Sequence, residues 1–170
     1  SLEDRLEVWD TEPGLKTGSV NCGGLRSAPL VLNRYCTKLA AADLDGGLCI
    51  WKIDADTASQ SLELDSAGFA AVMSFDESGN MLTTWSWVCK QIRVWDVTKG
   101  FTVHMFHLES VQPNCCVYSG GGERAHVAAA ITGSSVVIFD ARTGNKIQSL
   151  VTADFCFYCV CYSHPVVVLL

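Results

Sequence analysis

One short segment recurs four times along the chain at nearly constant spacing. Each copy has β-favouring apolar residues, then an aromatic residue, and in three of the four an aspartate. The copies lie at residues 6–10, 48–52, 92–96 and 136–140, and the aromatic stands at positions 9, 51, 95 and 139, so the spacings are 42, 44 and 44. A glycine follows three of the aromatics by five residues (Gly14, Gly100 and Gly144), and Asp56 takes that place in the other copy. The chain is therefore a series of similar supersecondary units.

Each unit is predicted to contain four β-strands. Helical periodicity is nearly absent, and the apolar segments are short, alternate with period two and are separated by turn residues. Between the second and third aromatics, we predict strands near 60–65, 69–75, 81–88 and 91–97. A run of small or β-favouring residues lies nine to twelve residues before three of the aromatics, at 40–42, 83–84 and 128–130. Four strands in about 44 residues are typical of a β-propeller blade, so the expected fold class is all-β.

The repeated dipeptide gives the chain a family resemblance. Trp9-Asp10 and Trp95-Asp96 match the name-giving dipeptide of WD-repeat β-propellers, and Trp51-Lys52 and Phe139-Asp140 are degenerate copies of it. The resemblance implies blades of four antiparallel strands, with the aromatic on the third strand packed between adjacent sheets. The structural repeat positions are then Trp9, Trp51, Trp95, Phe139, Asp96 and Asp140.

The chain departs from the family pattern at its polar positions. Family repeats often carry a Gly-His dipeptide and an aspartate six residues before the tryptophan. Gly-His does not occur here, and only Asp45 fits the aspartate position, which Cys89 and Gly133 take in the next two repeats. We therefore expect the blades to rest on apolar packing.

The phase of the repeat divides the chain into a half-blade at 1–20, blades at about 27–65, 69–108 and 114–151, and a half-blade at 155–170. About four repeats are thus present. Two arrangements remain open. In the first, the chain is a fragment of a larger ring, and in the second, the two half-blades pair into one composite blade that closes a four-bladed ring.

Charge and composition exclude several classes of function. The chain has 18 acidic and 12 basic side chains, and the basic ones form no stripe that would follow a phosphate backbone, so no nucleic-acid partner is expected. No apolar run approaches the roughly 20 residues that cross a bilayer, so no membrane partner is expected. The odd number of cysteines, nine, and the polar first residues favour reduced thiols and a cytoplasmic or nuclear location.

Neither a metal site nor a catalytic set is predicted. The zinc-like pattern Cys156, Cys159, Cys161 and His164 lies in a strand-like stretch, where alternation places Cys156 on the opposite face from the other two cysteines. The other histidines and the acidic pairs carry no linked catalytic signature, and the glycines at 120–122 are predicted to form a hairpin turn. We therefore expect no cofactor and a protein that is not an enzyme.

Partner-binding residues are predicted on one face of the ring. The resemblance implies that loops between second and third strands line this face. Two tryptophans beside basic residues resemble an interface anchor, although both also fit as packing between blades. The candidates are Trp85, Trp87, Lys90, Arg93, Asp45 and Asn114.

A further candidate is Arg142, in Phe139-Asp140-Ala141-Arg142. This segment partly resembles the Trp-Asp-x-Arg box by which some WD-repeat proteins dock on the adaptor of cullin-based ubiquitin ligases. Arg142 also fits as a solvated turn residue. The expected function is a non-catalytic scaffold for proteins or peptides. The alternatives are a substrate receptor of a cullin-type ligase, a sensor or regulatory propeller of a larger multidomain signalling protein, and an enzyme on a propeller scaffold.

Overall fold

The computed structural model describes residues 5–21, 29–42, 47–53, 58–64, 70–86, 88–108, 113–119, 125–131, 135–151, 160–163 and 166–169. These segments contain sixteen β-strands and no helix. The strands are β1 (Arg5–Asp10), β2 (Leu15–Asn21), β3 (Leu30–Leu32), β4 (Lys38–Ala42), β5 (Leu48–Ile53), β6 (Ala58–Leu64), β7 (Ala70–Phe75), β8 (Met81–Ser86), β9 (Gln91–Asp96), β10 (Phe101–His107), β11 (Pro113–Ser119), β12 (His126–Ile131), β13 (Ser135–Asp140), β14 (Lys146–Val151), β15 (Val160–Ser163) and β16 (Val166–Leu169).

The strands form five antiparallel sheets in which every strand pairs with its neighbours in sequence. Sheet 1 is β1–β2, sheet 2 is β3–β4–β5–β6, sheet 3 is β7–β8–β9–β10, sheet 4 is β11–β12–β13–β14 and sheet 5 is β15–β16. The prediction of an all-β chain with four-stranded antiparallel sheets is confirmed. The alternative of a closed four-bladed ring is wrong, because the two terminal strand pairs form separate sheets instead of one composite sheet.

Successive sheets pack face to face. One core cluster joins sheets 2 and 3, with Leu48 and Ile50 of β5 against Leu82 of β8 and Trp95 of β9. A larger cluster joins sheets 3 and 4, and a smaller one joins sheets 1 and 2. The first strands also touch in order, since β3 contacts β7, β7 contacts β11 and β11 contacts β15. The sheets therefore stand in a row with their first strands adjacent. Burial of these inner faces is the main source of stability.

A β-bulge accompanies the aromatic position in all four complete third–fourth strand pairs. The register shifts between Val8 and Trp9, between Ile50 and Trp51, and between Ile138 and Phe139. In sheet 3 the shift lies on β10, opposite Val94 and Trp95. In each pair the extra residue lies on the fourth strand, so the bulge bends that strand and increases the local twist beside the aromatic. The extra residues are Thr17, Ser61, Val103 and Ile147.

The aspartate and the glycine of the repeat build the turn between third and fourth strands. Asp140 Oδ1 accepts hydrogen bonds from the backbone N–H groups of Arg142 and Thr143, both at 2.8 Å. Asp96 Oδ1 does the same for Thr98 and Lys99, at 3.0 and 3.1 Å. The glycines have φ values of +66° (Gly14), +77° (Gly100) and +76° (Gly144), a left-handed conformation that favours glycine. Turn chemistry therefore explains why the glycine follows the aromatic by five residues.

Candidate functional site

The repeated aromatic side chain packs against the preceding sheet. Trp51 belongs to the cluster between sheets 1 and 2, Trp95 to the cluster between sheets 2 and 3, and Phe139 to the cluster between sheets 3 and 4. Their exposed fractions are 4%, 3% and 7%. Trp9 holds the same position in sheet 1 and is 56% exposed. Among the described residues, Trp9 therefore differs from the other three aromatics in its burial alone, since it occupies the same place in the repeat.

The two central tryptophans of sheet 3 differ in their polar contacts. Trp95 Nε1 donates a hydrogen bond to the buried Thr84 Oγ1 at 2.9 Å. Trp85 is 1% exposed and packs between sheets 3 and 4, where its Nε1 has no partner among the described residues. In the described part of the chain, Trp85 is therefore a buried packing residue between two sheets. Trp87 lies outside the described residues.

The turn between β8 and β9 presents a basic side chain. Lys90 is exposed and has φ +51°, an uncommon conformation for a residue with a Cβ, and its carbonyl oxygen accepts the Leu108 N–H at 3.0 Å. The backbone of the turn is therefore tied to the strand end beyond β10. Asn114 lies half-buried near the start of β11. Antiparallel alternation puts the start of β11 and the β8–β9 turn at the same end of sheets 3 and 4, which we name the upper end. Asp45, a further candidate from the sequence, lies outside the described residues.

Arg93 faces its own sheet. Its guanidinium carbon lies 5.9 Å from the centre of the Trp95 ring, and its Nε donates to Gln91 Oε1 at 3.3 Å. Arg142 lies at the opposite, lower end, in the β13–β14 turn, where its side chain is exposed. The structure therefore places Lys90 and Asn114 at one end and Arg142 at the other, and Arg93 lies beside Trp95 on its own strand.

The lower end contains polar contacts that sequence reasoning missed. Asn33 Oδ1 accepts the N–H groups of Thr37 and Lys38, at 2.9 and 2.8 Å, and closes the β3–β4 turn. Forty-three residues later, Asp76 Oδ1 accepts the N–H groups of Asn80 and Met81, both at 2.9 Å, and closes the β7–β8 turn. Both capping side chains are buried. The repeat period offered the signal, because an Asn and an Asp stand one period apart.

Lys38 joins these two turns across the sheet boundary. Its Nζ donates to the carbonyl oxygen of Gly79 at 2.8 Å and to Asn80 Oδ1 at 3.0 Å. Partial burial lowers the pKa of this amine, although the nearby Asp76 carboxylate opposes the shift. Arg34 and Glu77 form an ion pair between the same turns, with both side chains well exposed. These contacts fix sheet 2 against sheet 3 and offer no reacting group.

An apolar groove lies between sheets 1 and 2. It has a volume of about 600 Å³, and both apolar and polar side chains line it. The apolar ones are Leu6, Val8, Trp9, Leu30, Leu32, Cys36 and Leu39, and the polar ones are Glu7, Asp10, Thr11 and Thr17. Both Leu30 and Leu32 are exposed. No sequence motif marked this groove, because it exists only where sheet 1 stands beside sheet 2.

The side chains that could bind a metal ion or react are the cysteines, histidines and carboxylates of the described segments. These segments contain no group of three or more His, Cys, Asp and Glu side chains placed to hold a metal ion. Burial raises the pKa of the Cys116 thiol, the state of an inert core cysteine. Burial lowers the pKa of His104, and the Asp140 carboxylate opposes the shift. Of the zinc-like pattern, Cys161 lies in β15, and Cys156, Cys159 and His164 lie outside the described residues.

Comparison with known proteins gives no family assignment. No protein-family model matches the chain, and no curated protein sequence matches it either. Within the described segments, no helix is long and apolar enough to span a bilayer.

Proposed function

We propose that residues 1–170 form part of a WD-repeat β-propeller that acts as a non-catalytic scaffold for binding other proteins or peptides. One observation carries the proposal. Three successive four-stranded antiparallel sheets pack face to face, and each places its repeated aromatic against the preceding sheet. Rows of sheets with this internal repeat form rigid, extended surfaces, which repeat proteins use for recognition. The step from fold to function is an analogy, so the role requires a direct test.

The upper end of sheets 3 and 4 is the proposed contact surface. Lys90 stands out from a turn whose backbone is hydrogen-bonded to Leu108, so the charge is carried on a fixed support. Asn114 lies at the same end, on a strand that contacts both β7 and β8. A positive side chain on a rigid support favours a partner that presents an acidic side chain or a backbone carbonyl.

The test is affinity capture of partners by the purified chain and by Lys90→Glu, with quantitative mass spectrometry. We expect a set of proteins captured by the parent chain to be depleted by Lys90→Glu and retained by Lys146→Glu, an exposed lysine on β14 that serves as the matched control. Thermal unfolding of all three proteins checks that the fold is intact. Equal capture by both variants would contradict the assignment of the upper end as the contact surface.

A second candidate function rests on Arg142. Its side chain is exposed at the lower end, in a turn that Asp140 holds through two backbone hydrogen bonds. This geometry presents an arginine on a fixed turn, as a docking contact for a ubiquitin-ligase adaptor requires. In the same capture experiment, Arg142→Ala should remove a ligase adaptor while leaving the Lys90-dependent proteins in place. Retention of the adaptor, or its absence from the parent sample, would exclude this role.

The proposal also includes a cytoplasmic or nuclear location. The described cysteines carry thiols with no disulfide among them, which suits a reducing compartment. Imaging of the tagged chain in cells tests the location. A regulatory propeller within a larger signalling protein remains a further proposal, and sequencing of the complete transcript tests it directly.

A further inference from the structure

The outer strand of sheet 3 exposes three large apolar side chains in alternate positions. Phe101, Val103 and Met105 lie on β10 and are 50%, 37% and 55% exposed. The same places of the next repeat hold one apolar and two polar residues, Asn145, Ile147 and Ser149. Single exposed apolar residues are common on protein surfaces, whereas a group of them marks a site of association. β10 is therefore a candidate contact strand.

β10 also lacks the charge that protects the other outer strands. In the described chain it pairs with β9 alone, so one backbone edge is open. Natural sheets protect such edges with bulges, with proline and with charged residues. All four described outer strands have a bulge, but three of them also carry a charged residue, namely Lys16, Glu63 and Lys146. β10 contains no Lys, Arg, Asp, Glu or Pro, so its edge is the least protected of the four.

Basic side chains border the exposed residues of β10. The Nζ of Lys99 lies 5.8 Å from the centre of the Phe101 ring, and Arg93 stands opposite Met105 in the register of β9 and β10. Asp96 lies 3.2 Å from Lys99, but its side chain is 14% exposed against 66% for the lysine, and it already caps the turn. The whole chain has a formal net charge of −6, so this positive border is a local feature. It is complementary to an acidic partner.

We infer that β10 binds an extended segment of another protein, which carries alternating apolar residues together with acidic residues and pairs with the open edge as a fifth strand of sheet 3. In such strand addition, main-chain hydrogen bonds supply affinity and alternate side chains supply specificity. An added strand has side chains on both faces of the sheet, so it covers Phe101, Val103 and Met105 on whichever face each lies. Its carboxylates meet Lys99 and Arg93.

The inference goes beyond the function proposed above. The upper-end surface is formed by the turn at Lys90, whereas the present site is the edge of a strand. Its partner is an extended segment recognised through its backbone, and it does not require the upper end to bind anything.

Selection from a display library of random linear peptides, with the purified chain as bait, tests the inference. We expect the enriched sequences to alternate apolar β-favouring residues, to include Asp or Glu, and to lack proline between them. One enriched peptide is then synthesised with a fluorophore, and its affinity is measured by anisotropy. Val103→Glu should weaken binding by about tenfold or more, because it places a carboxylate beside an acidic strand.

The matched control is Ile147→Glu, at the same bulge position of β14, which should leave the affinity unchanged. Ile147 is 51% exposed, so a charge is tolerated there, and thermal unfolding of both variants checks the fold. Methylation of the peptide backbone nitrogens on alternate residues, in either of the two phases, tests strand pairing. One phase removes the donors that face β10 and should abolish binding, while the other should retain it. Hydrogen–deuterium exchange of the chain should slow in β10 on peptide addition and stay unchanged in β14.

Several results would overturn the inference. These are enrichment of basic sequences or of none, equal binding to Val103→Glu, binding by both methylated peptides, and protection that omits β10. A dimer of the parent chain that Val103→Glu dissociates in sedimentation velocity would assign the edge to a second copy instead. The capture experiment on Lys90→Glu uses neither this peptide nor these variants, so each proposal can fail while the other stands.

Discussion

Trp9 and Trp95 occupy the same position of the repeat and differ in almost every physical respect. Trp95 is 3% exposed, packs between two complete sheets and donates a hydrogen bond to Thr84. Trp9 is 56% exposed, on a sheet of two strands. Both lie one residue before the end of a short strand, directly before an aspartate, and a register shift accompanies both. Local sequence therefore sets the strand and the turn, while the neighbouring sheet decides how much stability the aromatic contributes.

The largest expected effect compares alanine at these two positions. Trp95→Ala should lower the free energy of unfolding by about 3–5 kcal/mol, because it empties a packed site and leaves Thr84 without its donor. Trp9→Ala should cost under about 1 kcal/mol, because an exposed side chain loses little burial. Urea denaturation measures both. Similar costs for the two variants would show that Trp9 is covered in solution.

Alanine substitutions at two glycines compare a turn of sheet 1 with a turn of sheet 3. Gly14 and Gly79 have φ values of +66° and +69°, so alanine is strained at either position by about 1 kcal/mol or more. At Gly79 an added Cβ would also lie 2.7 Å from Asn33 Nδ2, whereas nothing lies within 4 Å at Gly14. We expect Gly79→Ala to cost about 2–3 kcal/mol and Gly14→Ala about 1 kcal/mol, measured by thermal unfolding. Equal costs would mean that the Asn33 turn yields without loss.

Replacing Trp95 or Trp85 by phenylalanine separates the contribution of packing to stability from that of the indole hydrogen bond. Trp95→Phe removes the donor to Thr84 Oγ1 and leaves a buried hydroxyl unpaired, while Trp85→Phe removes an N–H that has no partner in the described chain. Both changes remove a similar volume. Trp95→Phe should therefore be the more destabilising by about 1–2 kcal/mol in chemical denaturation. The reverse order would show that Trp85 Nε1 is satisfied in solution.

The smallest expected effect is the loss of stability at low pH that the two turn aspartates, Asp96 and Asp140, cause. Hydrogen bonds from Thr98 lower the pKa of Asp96, and those from Thr143 and Arg142 lower the pKa of Asp140. A lowered folded-state pKa stabilises the fold above the unfolded value of about 3.9, and this contribution is lost as pH falls through the folded pKa. Melting temperature should fall as pH drops below about 4, and Asp96→Asn with Asp140→Asn should make that fall shallower. An unchanged slope would contradict this origin.

Much of the fold followed from the sequence. The predicted strands near 69–75 and 91–97 match β7 and β9 closely, because period-two alternation between turn residues is a local signal. The candidate contact residues were harder to place. Trp85 looked like an interface anchor by composition, yet it is buried, since its exposure depends on sheet 4 rather than on its own strand. The groove at Leu30 and Leu32 gave no sequence signal for the same reason.

The sequence by itself determined the β-strands, their antiparallel order and the turn chemistry, because alternation, aspartate caps and left-handed glycines act over a few residues. Only the tertiary structure decided which aromatics are buried, where Lys38 joins two turns, and that the terminal strand pairs stay as separate sheets. These properties arise from surfaces that are distant in sequence and meet only when sheets stack. Trp9 shows this most directly, because it shares the local motif of Trp95 and is nevertheless 56% exposed.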